Sequence, residues 1–352
     1  MSPESIDDDC ARVVRPPQAV PGWITQQCAA LLRQNGHALL ISGPSGLGQE
    51  ALALELIRAW LCKSPTAQGA CGQCASCHGI DLCTHSDLYV LMPEIMMLDR
   101  GWPLLPKAMK EIEEKKRKPS KEIRVDAMRD AVEFMQLTSA QGRGKAVLVY
   151  PAERMNQITA NTLLKSLEEP PGDVKFVLAS EGAQSLLPTV RSRCMAHAMV
   201  WPKPQESLQW LAGQGVPALD AATLLRASGD RPQDVLNWLQ QGHTAAQWRE
   251  LPRAMQRGDL KLLANWSPPQ LLEALQKLCH DVLAIKVGAA PRFFDAALVP
   301  ALPGPLRALS HWSSSLARSS RTAEHPFSPG LMHEALVSEA KTALNARASI
   351  AN

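Results

Sequence analysis

The chain has 352 residues, which suits two to three domains, and its 45% hydrophobic and 20% charged residues describe a globular composition and exclude a disordered one. The formal net charge of +3 is too small by itself to indicate a nucleic-acid partner. No apolar run reaches the roughly 18 residues that a membrane span needs, and Asp7, Asp8 and Asp9 stand where a targeting segment would be basic, so a cytoplasmic location with no membrane contact is expected.

Residues 1–22 read as an irregular entry segment, and the apolar spacing from Trp23 to Leu32 is helical. Ala38-Leu39-Leu40-Ile41 is a continuous apolar run, the mark of a strand buried on both faces of a parallel sheet, and it leads into Ser42-Gly43-Pro44. A helix is predicted over 49–61 and strands over 88–91, 146–150, 175–180 and 196–200. Further helices are predicted over 124–138 and 159–169, the second stopped by Pro170-Pro171-Gly172. Alternating strands and helices argue for a parallel α/β sheet with right-handed crossovers. Between 93 and 121 lies a mixed charge run in which Glu111 with Lys115, and Glu114 with Lys118, predict an exposed helix laced by i,i+4 pairs. This reads as a solvated insertion, with a DNA-tracking role as the alternative. After Trp201-Pro202-Lys203-Pro204 only helical patterns occur, over 205–214, 218–228, 231–240, 245–257, 268–287 and 330–348, and the Pro-rich stretch 291–305 reads as a loop.

Gly43-Pro44-Ser45-Gly46-Leu47-Gly48-Gln49-Glu50 has the spacing of a phosphate-binding loop between a strand and a helix. Its glycines suit backbone N–H groups that turn inward on phosphate. The next two positions lack the chemistry. Gln49 is neutral where lysine would meet the β/γ-phosphates, and Glu50 places an anion where serine or threonine would ligate Mg²⁺. The strand 146–150 should run into an acidic pair, but Pro151 and Ala152 carry no side-chain oxygen, and Glu153 comes one residue late. A degenerate nucleotide site that does not bind ATP productively is therefore expected, with a simple glycine turn as the alternative.

Nine cysteines occur, five of them (Cys62, Cys71, Cys74, Cys77 and Cys83) within 22 residues. In a reducing compartment such a cluster favours metal over disulfides. Cys62, Cys71, Cys74 and Cys77 suit one structural tetrahedral Zn²⁺. An iron–sulfur site and free thiols are the alternatives, and His78, Cys83 and His85 leave the fourth ligand open. Only Lys63 is basic between 59 and 85, which weighs against DNA binding by this module.

Arg191-Ser192-Arg193-Cys194 lies between two predicted strands and in isolation reads as a solvated helix end. Together with Ala160-Asn161-Thr162-Leu163-Leu164-Lys165-Ser166-Leu167-Glu168-Glu169-Pro170-Pro171, the cysteine cluster and His37–Pro44, it resembles the signature run of bacterial clamp-loader AAA+ subunits across residues 37–200. The motor subunits of that family keep the loop lysine and the acidic pair. The delta-prime class loses them and keeps the Ser-Arg-Cys motif, which is the combination found here. The resemblance implies an AAA+ domain over 1–201 with a zinc module at 62–85, a helical lid over 202–243 and a helical collar over 244–352. It also implies a non-hydrolysing subunit of the DNA polymerase III clamp loader, in a ring with delta and gamma/tau subunits that places a sliding clamp on primed DNA. Arg193, flanked by Ser192 and Cys194, would reach a neighbour's ATP as an arginine finger. Segment 93–121 is longer than this family requires. An active AAA+ motor, or a zinc-dependent nucleic-acid-binding protein without a ring, are the competing functions.

Overall fold

The computed structural model describes residues 20–263, 265–300, 305–321 and 328–346, so most of the predicted entry segment and the end of the helix predicted to 348 lie outside the described residues. The chain divides into two compact units, Met1–Pro202 and Lys203–Asn352.

In the first unit, β1 (Ala38–Ser42), β2 (Leu88–Leu91), β3 (Lys145–Val149), β4 (Val174–Ser180) and β5 (Met195–Ala198) form one sheet in the order β2-β3-β4-β1-β5, with every pairing parallel. The helices are α1 (Gly22–Leu31), α2 (Gln49–Leu61), α3 (Ala75–Asp81), α4 (Glu94–Arg100), α5 (Pro106–Glu113), α6 (Val125–Gln136), α7 (Gln157–Glu168) and the single turn α8 (Pro188–Arg191). This is the AAA+ parallel-sheet architecture expected from the resemblance. The central strands are mostly apolar because helices cover both faces: all five residues of β3 are buried, Lys145 included, as are six of seven in β4. Ala160, Leu163 and Leu167 of α7 join Phe176 and Leu178 of β4 in one core. Asn156 starts α7 by accepting from the Thr159 N–H at 2.9 Å.

Two expectations change at the edges of this unit. β5 covers 195–198 instead of 196–200, and it is an outer strand with mostly exposed residues. The segment after β2 holds two short helices, and the predicted i,i+4 pairs are not formed. α5 ends at Glu113 and Lys115 turns to a φ of 56°, which carries the following side chains off the helix face. Arg117 folds back instead, giving Glu94 a two-bond clamp (Nη1–Oε2 2.5 Å, Nη2–Oε1 2.8 Å) and bonding Glu111 at 2.8 Å. The segment roofs a cavity of about 380 Å³ along β2, lined by Tyr89, Met92, Met97, Trp102 and Leu105 among others.

The second unit is helical among the described residues: α9 (Pro204–Gly213), α10 (Ala218–Ser228), α11 (Pro232–Gln240), α12 (Ala245–Arg257), α13 (Pro268–Lys286), α14 (Leu306–Ser320) and α15 (Pro329–Leu344). Two apolar clusters form within it. Leu211, Leu224, Leu225, Val235 and Ala245 make the smaller one. The larger gathers Trp248, Leu275, Leu278, Phe294, Trp312 and Val337 among its members. α14 was not foreseen: its serines are weak helix formers, and its buried stripe is only Leu309, Trp312 and Leu316.

Candidate functional site

The loop after β1, the exit of β3 and the exit of β4 meet at one end of the sheet, the end where parallel α/β sheets place their ligands. The Gly43 N–H donates to the Ser180 carbonyl at 3.2 Å, joining the loop to the end of β4. Gly46 and Gly48 hold φ values of 77° and 99°, in the left-handed region that favours glycine. At Gly43 a Cβ would meet the side chain of Met199 at 2.8 Å, so only glycine fits there. The indole N–H of Trp23 donates to the Leu47 carbonyl at 3.2 Å and braces the loop from α1.

Gln49 is only 2% exposed, and its amide points back into the loop. Nε2 donates to the carbonyls of Gly43 (2.6 Å) and Pro44 (2.7 Å). Glu50, expected to repel phosphate, is instead neutralised from α4. Arg100 Nε donates to both of its carboxylate oxygens, at 2.8 and 3.0 Å. The expected repulsion is thus largely cancelled, and occupation of the loop by the Gln49 amide takes its place.

Beyond β3 the chain reads Tyr150-Pro151-Ala152, with Ala152 fully buried. The Tyr150 hydroxyl donates to Glu181 at 2.9 Å. Burial, reinforced by Glu181 and Glu50, pushes this phenol well above its ordinary pKa, so it stays protonated. Glu153 turns to the other strand exit, where its Oε1 accepts from the Glu181 N–H at 3.0 Å. At this end of the sheet Gln49 bonds its own loop, Arg100 pairs with Glu50, and Glu181 joins Tyr150 to Glu153.

The cysteine cluster forms as expected. The sulfurs of Cys62, Cys71, Cys74 and Cys77 all lie within 4.8 Å of one another. Cys62–Cys71, Cys62–Cys74 and Cys74–Cys77 are 3.4, 3.8 and 3.6 Å apart. A tetrahedral zinc with Zn–S bonds of about 2.3 Å requires sulfurs about 3.8 Å apart, so the residues fit that ion. Backbone N–H groups of Ser64 and Cys71 point at the Cys62 sulfur, the orientation that supports a thiolate. Burial pushes Cys77 up to about 12, with its sulfur neighbour Cys74 adding to it. In Cys74 burial is outweighed by the N–H groups of Cys77 and Lys63, which bring it down to about 6.

The other candidates for the fourth ligand stand outside the sulfur set. His85 bonds Ser76 through Nε2 (2.7 Å) and accepts the Asp87 N–H through Nδ1 (3.0 Å). His78 is exposed, and Cys83 faces the Arg100 carbonyl.

Arg193 follows α8 at the rim of the sheet unit, its side chain about one-third exposed. Its guanidinium pairs with Glu168 at the end of α7, and Nη1 donates to the Thr189 carbonyl at 2.8 Å. Ser192 is exposed, and its hydroxyl bonds the same carbonyl at 3.2 Å. Cys194 packs against the sheet core, and burial raises its thiol to about 11. Arg100, which no sequence motif marked, is the functional neighbour that reading the sequence missed. It lies 50 residues from Glu50, and only the fold brings the two together.

A family model described as DNA polymerase III, delta subunit matches residues 26–200. DNA polymerase III subunit delta' of Pseudomonas aeruginosa is 41% identical over 201 residues, covering 56% of this chain and 54% of that protein, so the match spans about half of the relative's length. The subunit delta' of Escherichia coli K12 is 30% identical over 257 residues, covering 68% of this chain and 70% of that protein. Among solved structures, a DNA polymerase III gamma subunit-related protein of Thermotoga maritima superposes with a TM-score of 0.48 at 17% identity, over 92% of this chain and 100% of that one. On the strength of the sequence matches, the chain belongs to the family of DNA polymerase III delta-prime subunits.

Proposed function

We propose that this chain is the ATP-silent subunit of a DNA clamp loader, assembled in a ring with delta and gamma/tau subunits that load a sliding clamp on primed DNA. The single observation that supports this reading is the side chain of Gln49, a neutral amide bonded to the loop's own carbonyls at the position where the loop's lysine would stand. Hydrolysis also needs a lysine on the β/γ-phosphates and oxygens on Mg²⁺, and Gln49, Pro151 and Ala152 supply neither. The helical unit would then divide into a lid over 202–243 and a collar over 244–352, with its two apolar clusters meeting across that boundary, since Ala245 joins the smaller and Ala227 the larger.

In such a ring Arg193 acts in trans. Its planar guanidinium suits the γ-phosphate of a neighbour's ATP, where charge spreads over the transferring group. In the isolated chain Glu168 and the Thr189 carbonyl hold that guanidinium at the rim. A phosphate with more charge than one carboxylate would draw it across. Zinc bound by Cys62, Cys71, Cys74 and Cys77 would tie the loop between α2 and α3, a segment with little apolar material of its own.

Two measurements test this reading. The purified chain titrated with Mg-ATP should show no saturable binding at micromolar concentration. In the reconstituted complex, Arg193→Ala should leave assembly intact and slow ATP hydrolysis by about 10³-fold or more at the affected interface. Tight Mg-ATP binding by the chain alone, or undiminished hydrolysis with the variant, would overturn it.

A further inference from the structure

The segment after β2 carries a charge pattern that the proposed role of Arg193 does not use. Residues 105–124 hold eight lysines and arginines against four glutamates, a net charge of +4. The whole chain is only +3, so the remaining residues together carry about −1. The chain's net positive excess therefore comes from these 20 residues.

Packing sharpens this asymmetry. Glu111 is taken by Arg117, and Glu114 by Lys116. Lys107, Lys110, Lys115, Lys118 and Lys121 are exposed and make no ion pair among the described residues. Lys107 and Lys110 are three apart on α5 and so share a face. Lys115 sits at the turn that ends α5, and Lys118 and Lys121 follow on the returning chain.

The segment is also held in place. Arg117 clamps Glu94, and the Ser120 N–H donates to the same carboxylate at 2.8 Å. Trp102 is 8% exposed, and Arg100 ties α4 to Glu50. A loop whose only task was solubility would need no such anchors. Lysines on a fixed platform lose less freedom when they meet a partner.

We propose that residues 105–121 form a contact surface for the sugar-phosphate backbone of DNA. The chemistry favours phosphates over bases because no aromatic side chain lies between 105 and 121 to stack on a base, and no arginine is free there to read one. Flexible ammonium groups act as point charges on phosphate, so binding is sequence-independent and strongly salt-dependent. This inference requires neither Arg193 nor a partner's nucleotide.

The test is fluorescence anisotropy of the full chain with a short labelled DNA duplex at stepped salt concentrations. Lys107→Gln, Lys110→Gln and Lys118→Gln combined are compared with an equal charge loss elsewhere, Arg253→Gln, Arg307→Gln and Arg318→Gln. Zinc content and melting temperature check that each variant is folded, and Lys110→Glu alone serves as a second, minimal perturbation. The first triple variant should bind about tenfold more weakly at low salt, with the slope of log K against log salt reduced by about 3. The control triple should retain most of its affinity. Absence of salt-dependent binding by the wild type, equal losses in both triples, or displacement by polyglutamate as effective as by DNA would each overturn the proposal, the last pointing to an acidic protein partner.

Discussion

At position 49 the side-chain amide does something an ammonium group could also begin to do: it donates to the carbonyls of its own loop, Gly43 and Pro44. The difference lies in what happens when phosphate arrives. A lysine would exchange those neutral carbonyls for charge, gaining Coulomb energy in a partly buried site, whereas glutamine gains none and loses two short bonds. Gln49→Lys alone is therefore expected to produce no measurable ATP turnover in the isolated chain, since the exit of β3 would still lack metal-holding oxygens. A steady-state phosphate-release assay checks this, and turnover above background would mean that metal is held by groups other than those the family uses. Glu50 belongs to the same scale. Its charge is matched by that of Arg100, so the proposed silence of this site would rest on the missing lysine and metal ligands and not on repulsion by Glu50.

At the scale of elements, the segment between β2 and α6 is an arm in which the Glu94 carboxylate gathers Arg117 and Ser120. Burial would raise the Glu94 pKa, but the Arg117 guanidinium and the Ser120 N–H outweigh it and hold the acid below its ordinary value. A depressed carboxylate stabilises the fold fully above the unfolded pKa of about 4.3, and that contribution is lost as pH falls through the lower folded value. Glu94→Gln should thus be less stable than the wild type at neutral pH, and the gap should close in acid below about pH 4. Urea denaturation at several pH values measures the gap. A constant difference into strong acid would show that Arg117 is held by something else.

The arm was only half legible in the sequence. Its charge was plain, but the pairing was assigned to i,i+4 neighbours on one helix. In the structure α5 stops after eight residues, and the arginine partners a glutamate 23 positions away. Sequence spacing predicts local pairs. It cannot see a turn at Lys115, because a left-handed lysine has no compositional mark.

On the scale of the whole molecule, the two compact units have separate apolar cores and different physical supports. The sheet unit contains the four-cysteine cluster, and the helical unit has no comparable cluster among its described residues. Calorimetry should accordingly resolve two transitions. Removing zinc with a strong chelator should lower only one of them, by roughly 5 °C or more for a domain of this size. Mutating Cys74 to serine should reproduce the lower transition and abolish zinc binding. Chelation that shifts neither transition, or both equally, would count against a structural metal confined to the first unit. The longest helix of the molecule that is described, α13, has 19 residues, and no helix among the described residues is long and apolar enough to cross a membrane.

The amino-acid sequence by itself determined the order and kind of most elements, because buried parallel strands and amphipathic helices write their period directly into the apolar pattern. Ala38–Ile41, Lys175–Ser180 and the helix at 245–257 were readable in this way. It also determined the cysteine cluster and the missing lysine, since both are matters of residue identity at short spacing. Only the tertiary structure decided that Cys62 completes the sulfur set while His85 is engaged elsewhere, that Arg100 neutralises Glu50, and that Glu168 holds Arg193. Each of these joins residues from separate elements. Ion pairing and ligation depend on distances of a few ångströms, which the chain acquires when its helices pack on the sheet and which the linear order of residues does not encode.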